Sequence, residues 1–200
     1  PDQMETLKMV RSNGEHLLEL INDVLDYAKV ESGKVTPNKE TILLNEILKD
    51  LAGVVRSQAD RKGHRLICRE LEEVCCISCD RRHLRQMLIN ILTNAIKYTP
   101  DGGQIEIGAE RLPGSRIKIF VADTGVGIEE SARHKVFAPF ERVENAYAIN
   151  QVGSGLGMTL TKLLAEVNGG QIDFSSVPGK GSKFWLIFPA VPFERLDGPS

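Results

Sequence analysis

Three groups of residues in this 200-residue chain have types and spacings that could do chemistry. In LRQMLINILTNAIKYTPDGG, Asn90 and Asn94 stand one helical turn apart, and Lys97 follows a turn later. On a helix that spacing lines two amides and an ammonium along one stripe. Asparagine competes with a helix for its own backbone, so two on one face call for a reason beyond helix formation. DTGVGI places Asp123 at the end of an apolar strand, ahead of Gly125 and Gly127. A carboxylate there can accept a hydrogen bond from an exocyclic amine such as that of adenine, and glycines let backbone approach a flat ring. Taken alone, the tetrad reads more simply as a strand-to-loop turn with an Asx bend. GSGLG puts Gly153, Gly155 and Gly157 directly before a helix, whose free amides and partial positive charge suit phosphate. No G-K-[ST] closes that run, and no strand leads into it, so it is neither a Walker A loop nor a Rossmann fingerprint.

Other candidates carry less. Cys76 and Cys79 form a CxxC near Cys68 and Cys75. With no second pair or histidine at ligand spacing, buried reduced thiols on strand-like segments are expected rather than zinc. PGKGS, from Pro178 to Ser182, reads singly as a hairpin turn. Phe137 and Phe140 of FAPF read as anchors tying a long loop to the domain.

The elements that must position these groups follow from periodicity. Leu7, Val10, Gly14, Leu17, Ile21, Val24 and Ala28 alternate by threes and fours, a bundle seam on one long helix that Leu18 and Leu25 widen. Glu15, Glu19, Asp23, Asp26 and Lys29 charge the opposite face. A lone helix cannot bury such a seam, so a partner helix is expected. Gly33 ends it, and residues 34–40, with Pro37, read as a linker. From about Thr41 to Gly63 a second helix is expected, followed by strands at HRLICREL and VCCISCD. After the asparagine helix, QIEIGAER and RIKIFVADTG alternate cleanly and predict an antiparallel hairpin. A helix at TLTKLLAEVN and a strand, turn and strand in QIDFSSVPGKGSKFWLIFPA complete an α+β layer with helices on one face of a mixed, mostly antiparallel sheet. The stretch of about residues 129–153 is long and weakly periodic between two glycine motifs, which predicts a lid.

Bulk numbers bound the class. Apolar content of 42%, charge of 26% and a net charge of -2 describe an ordinary globular domain with no nucleic-acid footprint. No segment has the length and apolarity of a bilayer span, and no direct membrane contact is expected. The opening PDQMETLKMVRSNGEH is polar, helical and unlike a signal peptide, as expected of a piece of a longer protein.

Taken in order, the asparagine helix, DTGVGI, FAPF, GSGLG and PGKGS resemble the ATP-binding catalytic domain of sensor histidine kinases, within the superfamily of gyrase B, Hsp90 and MutL. GEHLLELINDVLDYAKVESGKV is similar to the second helix of that family's dimerisation and phosphoacceptor hairpin. The resemblance implies a two-layer ATP-binding fold over 41–192, preceded by a hairpin helix over 1–33 and followed by a tail over 193–200. It implies ATP and Mg2+ as cofactors. Asn94 would be the magnesium ligand, a hard amide oxygen suited to an ion that keeps phosphate oxygens and waters. Lys97 would contact phosphate, and Tyr98 would pack beside the nucleotide. Asp123 would read adenine, with Gly125, Gly127 and Ile128 lining its pocket. Gly153, Gly155, Leu156 and Gly157 would form the phosphate side, with Arg142 of the lid reaching the phosphates. Ser182 stands where the family usually has threonine near the adenine.

Asn90 would lie in the nucleotide site one turn before the magnesium asparagine, where ATP-hydrolysing relatives carry glutamate. An amide is no general base near neutral pH, which argues for phosphoryl transfer over hydrolysis and against a gyrase-like clamp. The acceptor expected of the family is a histidine followed by an acidic residue. The four histidines here precede Leu17, Arg65, Leu84 and Lys135, and His16 reads as a surface residue. An upstream acceptor hairpin, acting in cis or trans in a homodimer, is therefore expected, with a response regulator receiving the phosphoryl group and a cytoplasmic setting. The alternative is a pseudokinase that binds ATP to regulate a partner without phosphotransfer.

Overall fold

The alternation of QIEIGAERL and RIKIFVAD sends every second side chain inward and closes an antiparallel hairpin, β4 (Gln104–Leu112) and β5 (Arg116–Asp123), with Ile105 opposite Asp123. A computed structural model of the protein describes residues 2–141 and 154–193, and of positions 2, 3, 8, 12, 13, 15, 16 and 19 the backbone alone. The remaining strands are β1 (Lys39–Leu43), β2 (Arg65–Arg69), β3 (Cys76–Asp80), β6 (Gln171–Val177) and β7 (Gly181–Val191). They assemble in the order β1-β3-β7-β5-β4-β2, with β6 also paired to β7. Every pairing is antiparallel except β2 with β4. That parallel pair needs a long crossover, and β3 with α3 (Arg81–Tyr98) supplies it.

Helices α2 (Leu44–Arg61), α3 and α4 (Gly157–Val167) share one core with the sheet. The inward residues Ile105, Ile107, Ile117, Ile119, Leu186 and Phe188 meet Leu84, Leu88, Ile91 and Leu92 of α3, all essentially without solvent contact. This is the two-layer fold that the alternation predicts. Asp80 caps α3, its carboxylate accepting from the Arg82 and His83 amides at 2.9 and 3.3 Å.

One element differs from expectation. Thr41–Leu43 belong to a strand, and the helix starts at Leu44. The backbone of β1 pairs with β3 over Lys39↔Asp80 to Leu43↔Cys76, and this ladder outweighs the helical look of the apolar run. The sheet thereby takes in the last two residues of the stretch read as linker.

Among the described residues, the other face of the sheet carries no helix. It is covered by its own side chains: the Lys183 ammonium lies 3.8 Å from the Phe120 ring centroid, and that of Lys118 4.7 Å from Trp185. Gly108 makes the room, since a Cβ there would sit 2.9 Å from the Phe120 ring. Glu110 pairs with Lys118 at 2.9 Å, which holds its carboxyl below the usual range.

α1 (Asp2–Glu31) stands apart from this body along most of its length. Leu7, Val10, Leu17, Leu18, Ile21, Val24 and Leu25 are all exposed, from 43% for Val24 to 64% for Leu7. Its last turns touch the rest. Val30 is buried in the core, Ser154 donates to the Asp23 carboxylate at 2.7 Å, and Tyr27 meets Phe140 edge-on at 6.4 Å. The side chain of His16 lies outside the described residues. Among those described, no helix is long and apolar enough to cross a membrane.

The cysteines are free thiols on or beside β2 and β3: Cys75, Cys76 and Cys79 are buried and Cys68 is half-buried. Burial, with Asp80 adjacent, pushes the Cys79 thiol up to about 12. This disfavours the thiolate that a metal or an oxidant requires.

Candidate functional site

Asp123 ends β5 where the strand leaves the sheet. Its Oδ1 accepts from the Gly125 amide at 2.8 Å and the Ser182 amide at 3.3 Å. The Asx bend and the site carboxylate are thus the same structure. Burial raises the carboxyl to about 6, against the opposing pull of those two N–H groups. Only one of its oxygens has a hydrogen-bond partner among the described residues, which leaves the second able to accept.

The glycines around it are dictated by space. A Cβ on Gly125 would fall 2.6 Å from the Tyr98 carbonyl oxygen, and one on Gly127 (φ 71°) 2.2 Å from that of Val177. The Val126 amide donates to the Tyr98 carbonyl at 3.2 Å, and the Gly179 amide donates to Val126 at 2.8 Å. DTGVGI is therefore pinned between the end of α3 and the β6–β7 turn.

Ser176 is the residue that motif reading missed. Its Oγ accepts from the Ile128 amide at 2.8 Å and lies 3.0 Å from the Gly181 carbonyl and 2.9 Å from the Ser182 Oγ. It thereby joins the loop, the strand and the turn. A signal existed: Ile172, Phe174 and Ser176 share a strand face, and a hydroxyl ending an apolar series needs a partner.

The C-terminal half of α3 links the two glycine segments. At the middle of the helix, Asn90 Nδ2 donates to the Gly157 carbonyl at 3.1 Å and the Thr161 hydroxyl at 3.3 Å, tying α3 to α4. At its C-terminal end is the Tyr98 carbonyl, about 12 Å along the axis at a rise of about 1.5 Å per residue. Between them lie Asn94 and Lys97, both half-buried. The Lys97 ammonium sits 4.9 Å from the centroid of the Tyr98 ring. Asn94 makes no side-chain hydrogen bond among the described residues, so its amide is available to a ligand.

On the far side, Gly155 has a φ of 73°, and a Cβ there would lie 3.1 Å from the Glu141 carbonyl oxygen. Leu156 is fully buried, and its amide donates to Ser154 Oγ at 3.2 Å. Its position is a core position, with backbone near the site. Gly157 faces Asn90, and a Cβ on it would fall 3.7 Å from the amide carbon. Arg142, Gly153 and the second half of the expected lid lie outside the described residues. Of the lid's first part, Phe137 packs on Phe174 at 5.7 Å, as an anchor should, whereas Phe140 is 63% exposed and faces Tyr27. An open groove of about 640 Å³ beside Arg133, Phe137, Lys162 and Phe174 shares none of the candidate residues.

The described candidates thus gather along the C-terminal half of one helix and the two glycine segments that meet its middle and its end. A family described as histidine kinase-, DNA gyrase B-, and HSP90-like ATPase matches residues 79–192. The chain is 38% identical to the non-motile and phage-resistance protein of Caulobacter vibrioides, across 90% of this chain and 22% of that protein. It is 36% identical to the circadian input-output histidine kinase CikA of Synechococcus elongatus, across 98% of this chain and 27% of that one. Full-length ShkA, solved in complex with AMPPNP, superposes with a TM-score of 0.85 at 28% identity, covering 98% of this chain and 40% of that one. The chain spans well under half the length of these relatives. With more than half of its residues inside the matched region and its sheet and helices in the same arrangement, the chain belongs to the histidine kinase-, DNA gyrase B- and HSP90-like ATPase family.

Proposed function

We propose that this chain is the catalytic part of a sensor histidine kinase, which binds ATP with Mg2+ and passes the γ-phosphoryl group to a histidine outside these 200 residues, for relay to a response regulator. The observation that carries the reading is Asp123: a desolvated carboxylate with one oxygen held by two backbone amides and the other open, inside a cradle that only glycine fits.

The residues fit the cofactors they would hold. Asp123 would accept from the adenine amine, with Gly125, Gly127, Ile128 and the Ser182 hydroxyl around the ring and Tyr98 beside it. Asn94 would ligate magnesium through its amide oxygen, a donor suited to a hard cation. Lys97, Arg142 and the backbone of Gly153, Gly155, Leu156 and Gly157 would hold phosphate at the start of α4. Magnesium would supply charge neutralisation for phosphoryl transfer, and the protein's share is positioning. Asn90 supports transfer over hydrolysis. It cannot take a proton from water, and its amide nitrogen already binds Gly157 and Thr161. The exposed apolar stripe of α1 suits one helix of a dimerising hairpin, in which a second copy completes the bundle. A cytoplasmic location belongs with the reading, because that is where ATP and the receiver domain meet.

The test supplies an acceptor hairpin as a separate polypeptide with γ-labelled ATP and looks for acid-labile phosphohistidine. Label on the hairpin, lost from an Asn94→Ala chain, is the expected result. ATP binding without transfer would instead make the chain a regulatory nucleotide-binding module.

A further inference from the structure

An α-helix leaves its last four carbonyls without donors of its own. In α3 these belong to Ala95, Ile96, Lys97 and Tyr98, within the stretch that carries Asn94 and Lys97. All four are satisfied, each by an identifiable group. The Thr99 amide donates to Ala95 at 3.1 Å, and the Val126 amide to Tyr98 at 3.2 Å. The two between them are held by a single side chain: Lys62 Nζ donates to Ile96 at 3.0 Å and to Lys97 at 3.2 Å.

Lys62 is well placed for this. It is the C-cap of α2, its own amide donating to Ala59 at 3.1 Å and its carbonyl accepting from Gly102 at 2.9 Å. Two residues on, His64 Nε2 lies 3.2 and 3.1 Å from the Thr99 and Pro100 carbonyls, so that nitrogen carries the proton and donates. The turn after α2 therefore grips the end of α3 and the exit that follows it. A cation at this point also meets the negative end of the α3 dipole.

The adenine side shares one tie with the end of α3, from the Val126 amide to the Tyr98 carbonyl, and has further braces of its own. Asp123 rests on Gly125 and Ser182, and Ile128 on Ser176; none of these bonds involves Lys62.

We propose that Lys62 is a positioning residue for the phosphate side of the site: it fixes the last turn of α3, and with it Asn94 and Lys97, relative to an adenine pocket whose Asp123 and Ile128 have braces that do not involve it. The role rests on the proposed reading of Asn94, Lys97 and Asp123 as nucleotide ligands. Losing the ammonium strips two carbonyls of their donors and loosens the turn that presents the magnesium and phosphate contacts. Adenine recognition keeps its own supports.

Calorimetric titration of this chain with Mg-ADP and with adenosine separates the two. For Lys62→Met, Mg-ADP binding should weaken about tenfold while adenosine stays within about twofold. Lys62→Arg should recover to within about threefold of the parent, because a guanidinium can also donate to two carbonyls. Equal losses for both ligands, no loss for Mg-ADP, or an arginine variant as weak as the methionine one would each overturn the role. If Lys62→Met does not fold, Lys62→Gln carries the same comparison. A parent chain that binds adenosine but shows no gain from the magnesium diphosphate refutes the nucleotide reading of Asn94 and Lys97, and the role of Lys62 falls with it.

Discussion

α1 and α3 carry the same kind of signal and meet opposite fates. Each has an apolar stripe at helical spacing. In α3 that stripe, from Leu84 to Ile96, is buried against the sheet, and Asn90, Asn94 and Lys97 beside it are half-buried. In α1 the stripe stays exposed, and the last turns touch the domain. Periodicity says that a face requires burial; it does not say against what. α3 finds its cover inside the chain, whereas the stripe of α1 has none among the described residues.

The sharpest way to test the contrast is to make the same truncation on both helices. Leu88→Ala, in the closed core, should cost about 3 kcal/mol of stability in urea unfolding, the usual scale for a buried leucine. A loss below about 1 kcal/mol would show that α3 is less tightly enclosed than its burial indicates.

Next in size is the polar stripe of α3, where function and stability should separate. Asn94→Ala is expected to lower magnesium-dependent nucleotide affinity about a hundredfold, with melting nearly unchanged because the amide makes no internal bond among the described residues. Unchanged affinity would remove Asn94 from the metal site.

A third test moves to the loop that the end of α3 holds. Asp123 has its pKa raised to about 6, chiefly by burial, so the folded chain holds this proton more tightly than the unfolded one. Its contribution to stability is complete below the ordinary carboxylate range and is lost as pH rises through about 6. Asp123→Asn removes that dependence and keeps an oxygen for the Gly125 and Ser182 amides. At pH 8 the ligand-free variant should be the more stable by roughly 1 kcal/mol, allowing for partial exposure, with the difference gone at pH 4. Adenine binding should move the other way: the parent weakens as pH falls below about 6. A parent chain more stable than the variant at pH 8 would show the carboxylate to be favoured, not strained.

The smallest expected effect completes the comparison. Leu17→Ala on α1 should change stability by less than about 0.5 kcal/mol in dilute solution, as exposed positions do. A loss approaching that of Leu88→Ala would mean that a second copy already covers the stripe, and diluting the protein would then diminish it.

Sequence and structure part company for physical reasons that particular residues make plain. The β4–β5 hairpin and α3 are legible because a clean period of two or of three and four persists over whole elements. β1 is not: ETILLNEIL serves a strand and a helix equally, and only the distant β3 decides. The parallel partnership of β2 and β4 leaves no local trace either, since its register is set across a crossover. The same division runs through the site. Asp123, the asparagine pair and the glycines announce themselves by type and spacing. Lys62 and Ser176 act through bonds to main-chain atoms far along the sequence, Lys62 on Ile96 and Ser176 on Ile128. A carbonyl 34 residues away has no side-chain identity to read.

The uncovered face of the sheet has a consequence for how the molecule keeps company in solution. Phe120 and Trp185 would make an adhesive stripe if bare, yet each lies beneath a lysine. For two copies to stack sheet upon sheet, Lys118 and Lys183 would have to leave water and confront their own counterparts. The ammonium groups therefore shade the rings and oppose the stacking of one copy on another through this face.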